Sequence, residues 1–531
     1  MKKFIKYIAI LACVSTASVS CESFLDQPVL GQETLDTYFY TEDECNSALI
    51  GCYQSIMYGD WWQVNRLYIG MEVCTDNMWY GNTTQDASAW FNLCHFMGSP
   101  AVSNVMIENF WQYRYTGILR CNLVISKVPE AENVSDDAKA LIVAQAKFIR
   151  AFHYFELVKC FGGVPIVEEL SMPSEVVGIT RQSVDSCYTF IENDLLAAIE
   201  DLPLRSEYSS SDLGRATKGA AQAYLGKAYL YQEEYKDAFD MFEKVINSSE
   251  YSLMPEFNQV SNMDYNNNAE SIFEHQTSSS SDYALGTRLP VVMCSRDDSG
   301  WSWGLPTSDL ENAFIEEGDY VRLERTIIKH GASYVPNDNN WSEDNTYVIT
   351  PSKHKSARTT AKMYIPKESR PSSGFDGNYN NFNTPLFRYA DLLLMYAEAG
   401  NQLGYDSEAL WALNLVRNRA QLASVTSSGT TLRDDIRNER RLELALEFHR
   451  LFDIRRWKND SGKSVMSDLF GPNGSFVNYN VNESTDEYEL TNTLEPQEKG
   501  YYFDESRDLL FPIPSAEIAL ANGSIEQNPG Y

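Results

Sequence analysis

Basic residues and histidines are scarce in this sequence. Of 531 residues, 43 are Lys or Arg against 74 that are Asp or Glu, which gives a formal net charge of -31 at pH 7. A protein that binds nucleic acid needs a basic face for the phosphates, so this balance argues against nucleic acid as a partner. The six histidines are scattered along the chain, which gives no support to a histidine-based catalytic or metal site.

Several catalytic motifs are also missing. The sequence contains no H-E-x-x-H, G-x-S-x-G, G-x-x-x-x-G-K or G-x-G-x-x-G. We therefore predict a protein that is not an enzyme, with no catalytic residues and no cofactor. A glycosidase would need only two carboxylates at a defined separation, and Asp76, Asp297 and Asp298 keep that alternative open.

Cysteine is present, but without a metal-binding pattern. Cys13 and Cys21 lie near the N-terminus, and no C-x-x-C pair or zinc-spaced His accompanies the other eight cysteines. The oxygen-rich stretches 337–340 and 343–345 lack the Gly and terminal Glu of a calcium loop, so we predict polar turns and no metal. Whether any of the eight cysteines form disulfides stays open at this point.

The first twenty-one residues have the order of a secretory leader. Lysines precede an apolar run over 7–14, small residues follow over 15–20, and Cys21 comes next. We predict a signal peptide over 1–20 and a lipid anchor on Cys21, which attaches the protein to a membrane without a spanning helix. Ser18 stands where such sites usually carry Leu, so a plain cysteine behind an ordinary cleavage site is the alternative.

Most of the remaining chain has the periodicity of amphipathic helices. Apolar residues recur at three-and-four spacing over 136–160, and Gly162, Gly163 and Pro165 end that helix. A helix pair is predicted over 217–247, where Leu, Gly, Tyr, Ala and Phe stand at tetratricopeptide positions.

Further helices are predicted in the second half of the chain. A second pair covers 388–403 and 407–422, with Gly404 at the turn. A long helix follows over 434–450, on which Arg440–Glu443 and Glu447–Arg450 could pair at the surface. Single helix pairs cannot bury their own apolar faces, so we predict an all-α, tetratricopeptide-like scaffold of stacked pairs.

Two long stretches lack this periodicity, and they hold most of the tryptophan. The stretches are 59–100 and 251–383, which we predict to be irregular loop insertions. Seven of the ten tryptophans fall inside them: Trp61, Trp62, Trp79, Trp90, Trp301, Trp303 and Trp341. A helix-borne tryptophan is usually part of the core, whereas a loop tryptophan packs under its loop or contacts a ligand.

Five segments in this order carry a resemblance to a known family. They are AKFIRAF through FGGVP (146–165), GRATKGAA (214–221), RYADL through AEA (388–399), RNERR through DIRRW (437–457), and FPIP with QNPGY (511–531). The chain resembles the SusD/RagB-like outer-membrane lipoproteins, which serve nutrient uptake. The resemblance implies an N-terminal helical region over 21–250 and a C-terminal region over 251–531, after the leader.

The family motifs also predict how the scaffold is held together. Their arginines lie in apolar helical segments close to acidic residues, so buried or half-buried ion pairs between helices are expected. The residues concerned are Arg150, Arg388, Arg440, Arg455 and Arg456 with Glu398, Glu439, Asp391 and Asp453.

The resemblance also implies a function and a partner. Similar proteins bind a glycan, or less often a peptide, at the outer cell surface and cover a SusC-like TonB-dependent transporter. We expect the same of this chain, with location at the outer membrane. A surface glycosidase and a purely structural adaptor without a sugar ligand are the alternatives.

The loops suggest where a sugar binds. A sugar has a face of C–H groups and a rim of hydroxyls, which suits aromatic rings bordered by amides and carboxylates. We predict stacking on Trp79, Tyr80, Trp90, Trp301 and Trp303, with hydroxyl contacts from Asn77, Asn82 and Asp298. The acidic balance disfavours anionic polysaccharides, although Lys353, Lys355 and Arg358 could form a local basic pocket.

Overall fold

The computed structural model describes most of the chain. The described residues are 38–56, 66–81, 88–171, 178–280, 282, 285–333, 335, 347–350, 356–370, 379–476, 478–482, 487–491 and 499–531. The predicted leader, Cys21, Asn82, Trp61, Trp62, Trp341, Lys353, Lys355 and the predicted turns over 337–345 lie outside them. In the described part of the chain, no helix has both the length and the apolar character needed to cross a bilayer.

Helices dominate both halves of the chain. In the first half they are α1 (Glu42–Gln54), α2 (Arg66–Val73), α3 (Ser88–Cys94), α4 (Gly98–Ala101), α5 (Val105–Lys127), α6 (Asp136–Phe161), α7 (Val184–Asp201), α8 (Lys218–Tyr231) and α9 (Tyr235–Ser248). In the second half they are α10 (Leu289–Met293), α11 (Ser308–Glu317), α12 (Tyr320–Thr326), α13 (Tyr389–Gln402), α14 (Asp406–Arg419), α15 (Gly429–Glu443), α16 (Arg450–Arg456), α17 (Met466–Leu469), α18 (Glu505–Asp508) and α19 (Ser515–Leu520). The predicted mainly helical fold is confirmed.

Among the described residues, short strands form four antiparallel two-stranded sheets. The strands are β1 (Met78–Trp79), β2 (Ser271–His275), β3 (Leu305–Pro306), β4 (Ile327–Lys329), β5 (Arg358–Thr360), β6 (Thr384–Arg388), β7 (Asn478–Asn482) and β8 (Glu487–Thr491). β1 pairs with β3, β2 with β6, β4 with β5 and β7 with β8. Several of these strands and short helices lie inside 59–100 and 251–383, so the prediction that these stretches are irregular throughout is wrong.

The central helix α6 follows the predicted bounds closely. Ser135 caps its N-terminus by accepting a hydrogen bond from the backbone N–H of Ala138 at 3.3 Å. The helix ends at Gly162, whose φ of +74° suits a residue without a side chain. Its C-terminal half is buried on almost every side, so it forms the centre around which neighbouring helices pack.

The helix pairs show why small residues occupy their contact positions. In the α8–α9 pair, a Cβ built on Gly226 would lie 2.6 Å from a ring carbon of Phe242. Only glycine allows this approach, as the tetratricopeptide pattern predicted. The α13–α14 pair turns at Gly404, which has a φ of +76°.

The prediction of one helix over 434–450 is wrong. α15 ends at Glu443, and Leu446 and Phe448 adopt positive φ values of 65° and 68° before α16 begins. Arg440 and Glu447 therefore do not form the predicted surface pairs with Glu443 and Arg450. Both side chains are buried and bind partners on other elements.

Buried ion pairs link the helices, as the family motifs predicted. Arg388 contacts Glu270 at 2.7 Å and Glu447 at 2.7 Å, and it also binds Glu443. Arg440 contacts Asp391 at 2.9 Å, which joins α15 to α13. These opposite charges are paired inside the core. Removal of one partner would leave the other charge buried and uncompensated in surroundings of low dielectric constant, which is strongly destabilising.

The other predicted arginines behave differently from one another. Arg150 binds Asp194 through two hydrogen bonds of 2.7 and 2.8 Å, and Arg456 contacts Glu398 and Asp453. Arg455 instead donates to the backbone carbonyl of Asp508 at 3.1 Å and stacks over Phe511. For Arg455, within the described ranges, the predicted ion pair with a carboxylate is absent.

Candidate functional site

The predicted site residues come from two distant segments that one small sheet joins. In the β1–β3 pair, Trp79 is opposite Leu305, which brings the segment around residue 79 next to the segment around residue 303. The ring centres of Trp90 and Trp303 are 5.3 Å apart, and those of Trp301 and Trp303 are 5.5 Å apart. Edge-to-face contacts of this kind are favourable, so Trp90, Trp301 and Trp303 form one cluster.

Three of the predicted stacking residues, Trp79, Tyr80 and Trp90, lie in the protein interior. Trp79 and Tyr80 are each 5% exposed and Trp90 is 2% exposed, while the Trp90 indole donates to the backbone carbonyl of Arg66 at 3.1 Å. Burial on this scale leaves no ring face for a sugar in this conformation. Ligand contact at these three residues stays a prediction, and their burial is an observation against it.

Trp301 and Trp303 are placed differently. Both are half-buried and pack against the main core. Trp90 packs edge-to-face against Trp303. The Arg288 guanidinium lies 5.8 Å from the Trp301 ring centre. We call Trp301 and Trp303 the tryptophan pair.

The predicted polar partners are engaged within the protein. Asn77 is fully buried, and its amide donates to Glu72 at 3.2 Å and accepts from Arg441 at 3.1 Å. Asp298 is also buried and binds Arg370 through two hydrogen bonds of 3.1 and 3.0 Å. Each of these side chains holds its own loop in place, and sugar contact at either one stays a prediction.

Buried charged residues fix the segment that precedes Trp79. Asp76 binds Arg450 at 2.8 Å and Arg441 at 3.1 Å, which joins this segment to α15 and α16. Burial alone would raise the pKa of Asp76, but the two guanidinium groups outweigh it and hold that pKa well below its usual range. Lys499 donates to the backbone carbonyls of Thr75 and Met78.

Two further titratable groups near Asp76, Glu72 and Lys499, have shifted pKa values. Burial raises the pKa of the Glu72 carboxyl to about 7, although the Asn77 hydrogen bond opposes the shift. Burial lowers the pKa of Lys499 to about 8. Oε2 of Glu72 has no hydrogen-bond partner among the described residues. Desolvation therefore dominates at Glu72, where it destabilises the charged form of the carboxyl group.

Sequence reasoning missed the most exposed tryptophan of the described chain. Trp411 on α14 is 46% exposed, whereas Trp111 on α5 is buried. The buried face of α14 consists of Ala409, Ala412, Leu413, Val416 and Arg417. Trp411 lies off that stripe, so the spacing of the small residues contained the signal that it faces solvent.

The described residues contain no group of three His, Cys, Asp or Glu side chains placed to hold a metal ion. The eight described cysteines are all buried free thiols. Burial lowers the pKa of His449 to about 4, so this imidazole is neutral near pH 7.

Comparisons with known proteins agree with this architecture. The SusD family model matches residues 269–531, and a model described as starch-binding associating with outer membrane matches residues 26–230. A SusD-like protein of Formosa agariphila is 29% identical over the full length of both chains. A SusD-like protein of Bacteroides ovatus is 27% identical over 86% of this chain and 83% of its own length.

Solved structures show the same relationship. A structure titled as a laminarin binding SusD-like protein is 25% identical, covers 93% of this chain and 100% of its own, and has a TM-score of 0.73. Family models thus match both halves of the sequence, and relatives align along almost all of it. The chain belongs to the SusD/RagB-like family.

Proposed function

We propose that this protein captures an oligosaccharide at the outer cell surface without chemically changing it. The observation that carries the proposal is the tryptophan pair, Trp301 and Trp303, which is partly exposed and supported by Trp90. A solved relative titled as laminarin binding shares the fold at 25% identity, which supports a glycan as the ligand class.

The tryptophan pair suits a sugar for physical reasons. An indole face contacts the C–H groups of a pyranose ring, and polar groups beside it bind the hydroxyls. Asp297 is exposed next to the pair, and its carboxylate accepts hydrogen bonds from the Thr350 backbone N–H at 2.6 Å and hydroxyl at 3.1 Å. This side chain is thereby held where it can accept from a ligand hydroxyl.

The location and partner complete the proposal. The leader order supports lipid attachment at Cys21, and one matching family model is described by association with the outer membrane. A SusC-like TonB-dependent transporter would receive the ligand, and its own machinery would supply the energy. Incorporation of labelled palmitate into the protein, and its loss in Cys21→Ser, would test the anchor.

Affinity electrophoresis tests the binding site. The double variant Trp301→Ala/Trp303→Ala should lose retention in gels that contain the polysaccharide retaining the parent protein, with laminarin tested first. Trp411→Ala is the matched control because it removes an exposed indole outside the loops. Unchanged retention of the double variant, or loss of retention in the control alone, would contradict the assignment.

A second measurement tests the absence of catalysis. Incubation of the protein with each retained polysaccharide should release no reducing ends above the level given by heat-inactivated protein. Release that disappears in Asp297→Asn would instead identify a surface glycosidase.

A further inference from the structure

A cleft on another part of the molecule is built from three elements. It has a volume of about 620 Å³ and lies between α1, the turn over 211–215 and the end of β2. Pockets that bind small ligands typically measure about 300–1,000 Å³. The cleft is therefore large enough for a ligand, and it includes none of the predicted site residues.

One wall of the cleft is a single face of α1. It presents Ser47, Ile50, Gly51 and Gln54, which recur at the three-and-four spacing of a helix. Ile50 is 51% exposed, and a Cβ built on Gly51 would meet nothing within 4 Å. This wall thus offers an aliphatic contact surface and open space.

The opposite wall is a tight turn held against β2. Gly214 has a φ of +100°, and a Cβ there would lie 2.6 Å from the amide carbon of Gln276. The Arg215 guanidinium binds Asp212 at 2.9 Å, so the two charges at this rim neutralise each other. Both features fix the shape of this wall and leave little free charge.

The inner wall contains a buried histidine, one of whose ring nitrogens has no hydrogen-bond partner among the described residues. His275 is 5% exposed, and its Nδ1 has no hydrogen-bond partner in the described chain. Burial lowers its pKa to about 4, with Arg114 adding to the effect, so the ring is neutral at pH 7. A neutral imidazole has one donor and one acceptor nitrogen, and an unpaired buried polar atom is unfavourable.

The charges around His275 disfavour a charged ligand of either sign. Arg114 is buried behind it, and its Nη2 donates to the backbone carbonyl of Ser55, one residue before Ile56 of the cleft. Its field opposes a cation. The Glu274 carboxylate lines the cleft and opposes an anion.

We propose that this cleft is a second ligand site, separate from the tryptophan pair, for a neutral hydroxyl-rich ligand of one or two sugar units. A ligand hydroxyl both donates and accepts, which complements the neutral His275 imidazole. Ile50, Ile56 and Leu285 contact the C–H groups. That the polyhydroxyl ligand is a saccharide rests on the proposed function.

Nuclear magnetic resonance of protein labelled with ¹⁵N in the histidine rings tests the site. The probes are methyl β-D-glucoside, D-glucuronate and D-glucosamine at matched concentrations, with His275→Gln used to assign its ring resonances. The glucoside should shift the His275 nitrogens in a saturable way, and the two charged sugars should shift them less. No shift with the glucoside, or an equal or larger shift with a charged sugar, would overturn the proposal.

A blocking variant shows whether the cleft itself is responsible. Gly51→Trp places an indole into open space and should abolish the glucoside shift. Glu42→Trp is the control, because Glu42 is exposed and lies on the opposite side of the α1 helix from Gly51. This variant should keep the glucoside shift. A shift that survives in Gly51→Trp would contradict the assignment and would not depend on how His275→Gln folds.

The test separates this site from the proposed function. The variant Trp301→Ala/Trp303→Ala should retain the His275 shift even if it no longer binds polysaccharide. If the parent protein binds no polysaccharide but the glucoside shift is present, the cleft stands and the proposed function fails. A shift caused by glycylglycine amide and not by the glucoside would overturn the sugar assignment in favour of a peptide.

Discussion

Trp79 and Trp90, which lie in a stretch predicted to be a loop, are buried, whereas Trp411 on helix α14 is exposed. Trp79 and Trp90 belong to segments that look irregular in the sequence, yet they are 5% and 2% exposed. Trp411 belongs to a regular helix and is 46% exposed. The type of segment therefore does not decide whether an aromatic ring is available to a ligand, and the contacts of the segment do.

Different contacts produce the two outcomes. The β1–β3 pairing brings the segments around residues 79 and 303 together, and Trp90 packs against Trp303. In α14, small residues such as Ala409 and Ala412 make the helix–helix contact. Trp411 contacts the ring of Tyr396 edge-to-face, with ring centres 6.3 Å apart.

Electrostatics separates the same two regions. In the helical scaffold, burial opposes ionisation of Glu443, but Arg419, Arg388 and Arg322 hold its pKa well below the usual range. In the loop region, Glu72 is buried with one oxygen unpartnered among the described residues. At Glu443 the arginines thus outweigh burial, whereas at Glu72 burial prevails.

Removal of Trp90 should give the largest loss in the free energy of unfolding. Trp90→Ala would leave a cavity in the core, and we expect a loss of about 3–5 kcal/mol in the free energy of unfolding. Trp411→Ala, the matched exposed substitution, should change it by about 0.5 kcal/mol or less. Urea unfolding measures both, and similar losses in the two variants would break the comparison.

The pH dependence of stability should reveal Glu72. Its native pKa of about 7 exceeds the ordinary value of 4.5, so the native state binds the extra proton and stability falls as the pH rises through that window. The fall amounts to roughly 3 kcal/mol at most.

Glu72→Gln should remove that fall and make the protein more stable than the parent above pH 7. Urea midpoints over the window measure the difference. Glu443→Gln is the control from the scaffold and should destabilise the protein at pH 7, because it leaves the charges of its arginine partners unbalanced. Parallel pH profiles for Glu72→Gln and the parent would refute the shifted pKa.

Substitution of helical glycines by alanine should give the smallest changes in the free energy of unfolding, and two such substitutions should have opposite signs. Gly226→Ala forces a methyl group against Phe242 and should cost about 1–3 kcal/mol. Gly51→Ala meets open space and should stabilise the protein by about 0.5–1 kcal/mol, because alanine favours the helix. Thermal unfolding distinguishes them, and a neutral Gly226→Ala would mean that α8 and α9 can separate at little cost.

Sequence periodicity predicted the helices well where local rules suffice. The bounds of α6 and of the α8–α9 pair follow from capping residues, apolar spacing and glycines that lie close together along the chain. The break after Glu443 was missed, because it depends on Leu446 and Phe448 adopting positive φ values. Nothing in their own side chains favours that conformation.

The candidate site was predictable in composition but not in exposure. The tryptophan segments were recognised, yet which rings reach solvent depends on β1 meeting β3, more than two hundred residues away along the chain. The cleft around His275 had no sequence signal, because α1, a turn and a strand meet there only in the folded chain.

The order of residues along the chain was enough to establish helical pairs, their small contact residues and the family, since those features depend on neighbours within a few turns of helix. Tertiary structure alone decided which aromatic rings are buried, which arginines find carboxylates and where a cleft opens. These features depend on contacts between distant segments, and the burial of a side chain is a property of everything packed around it.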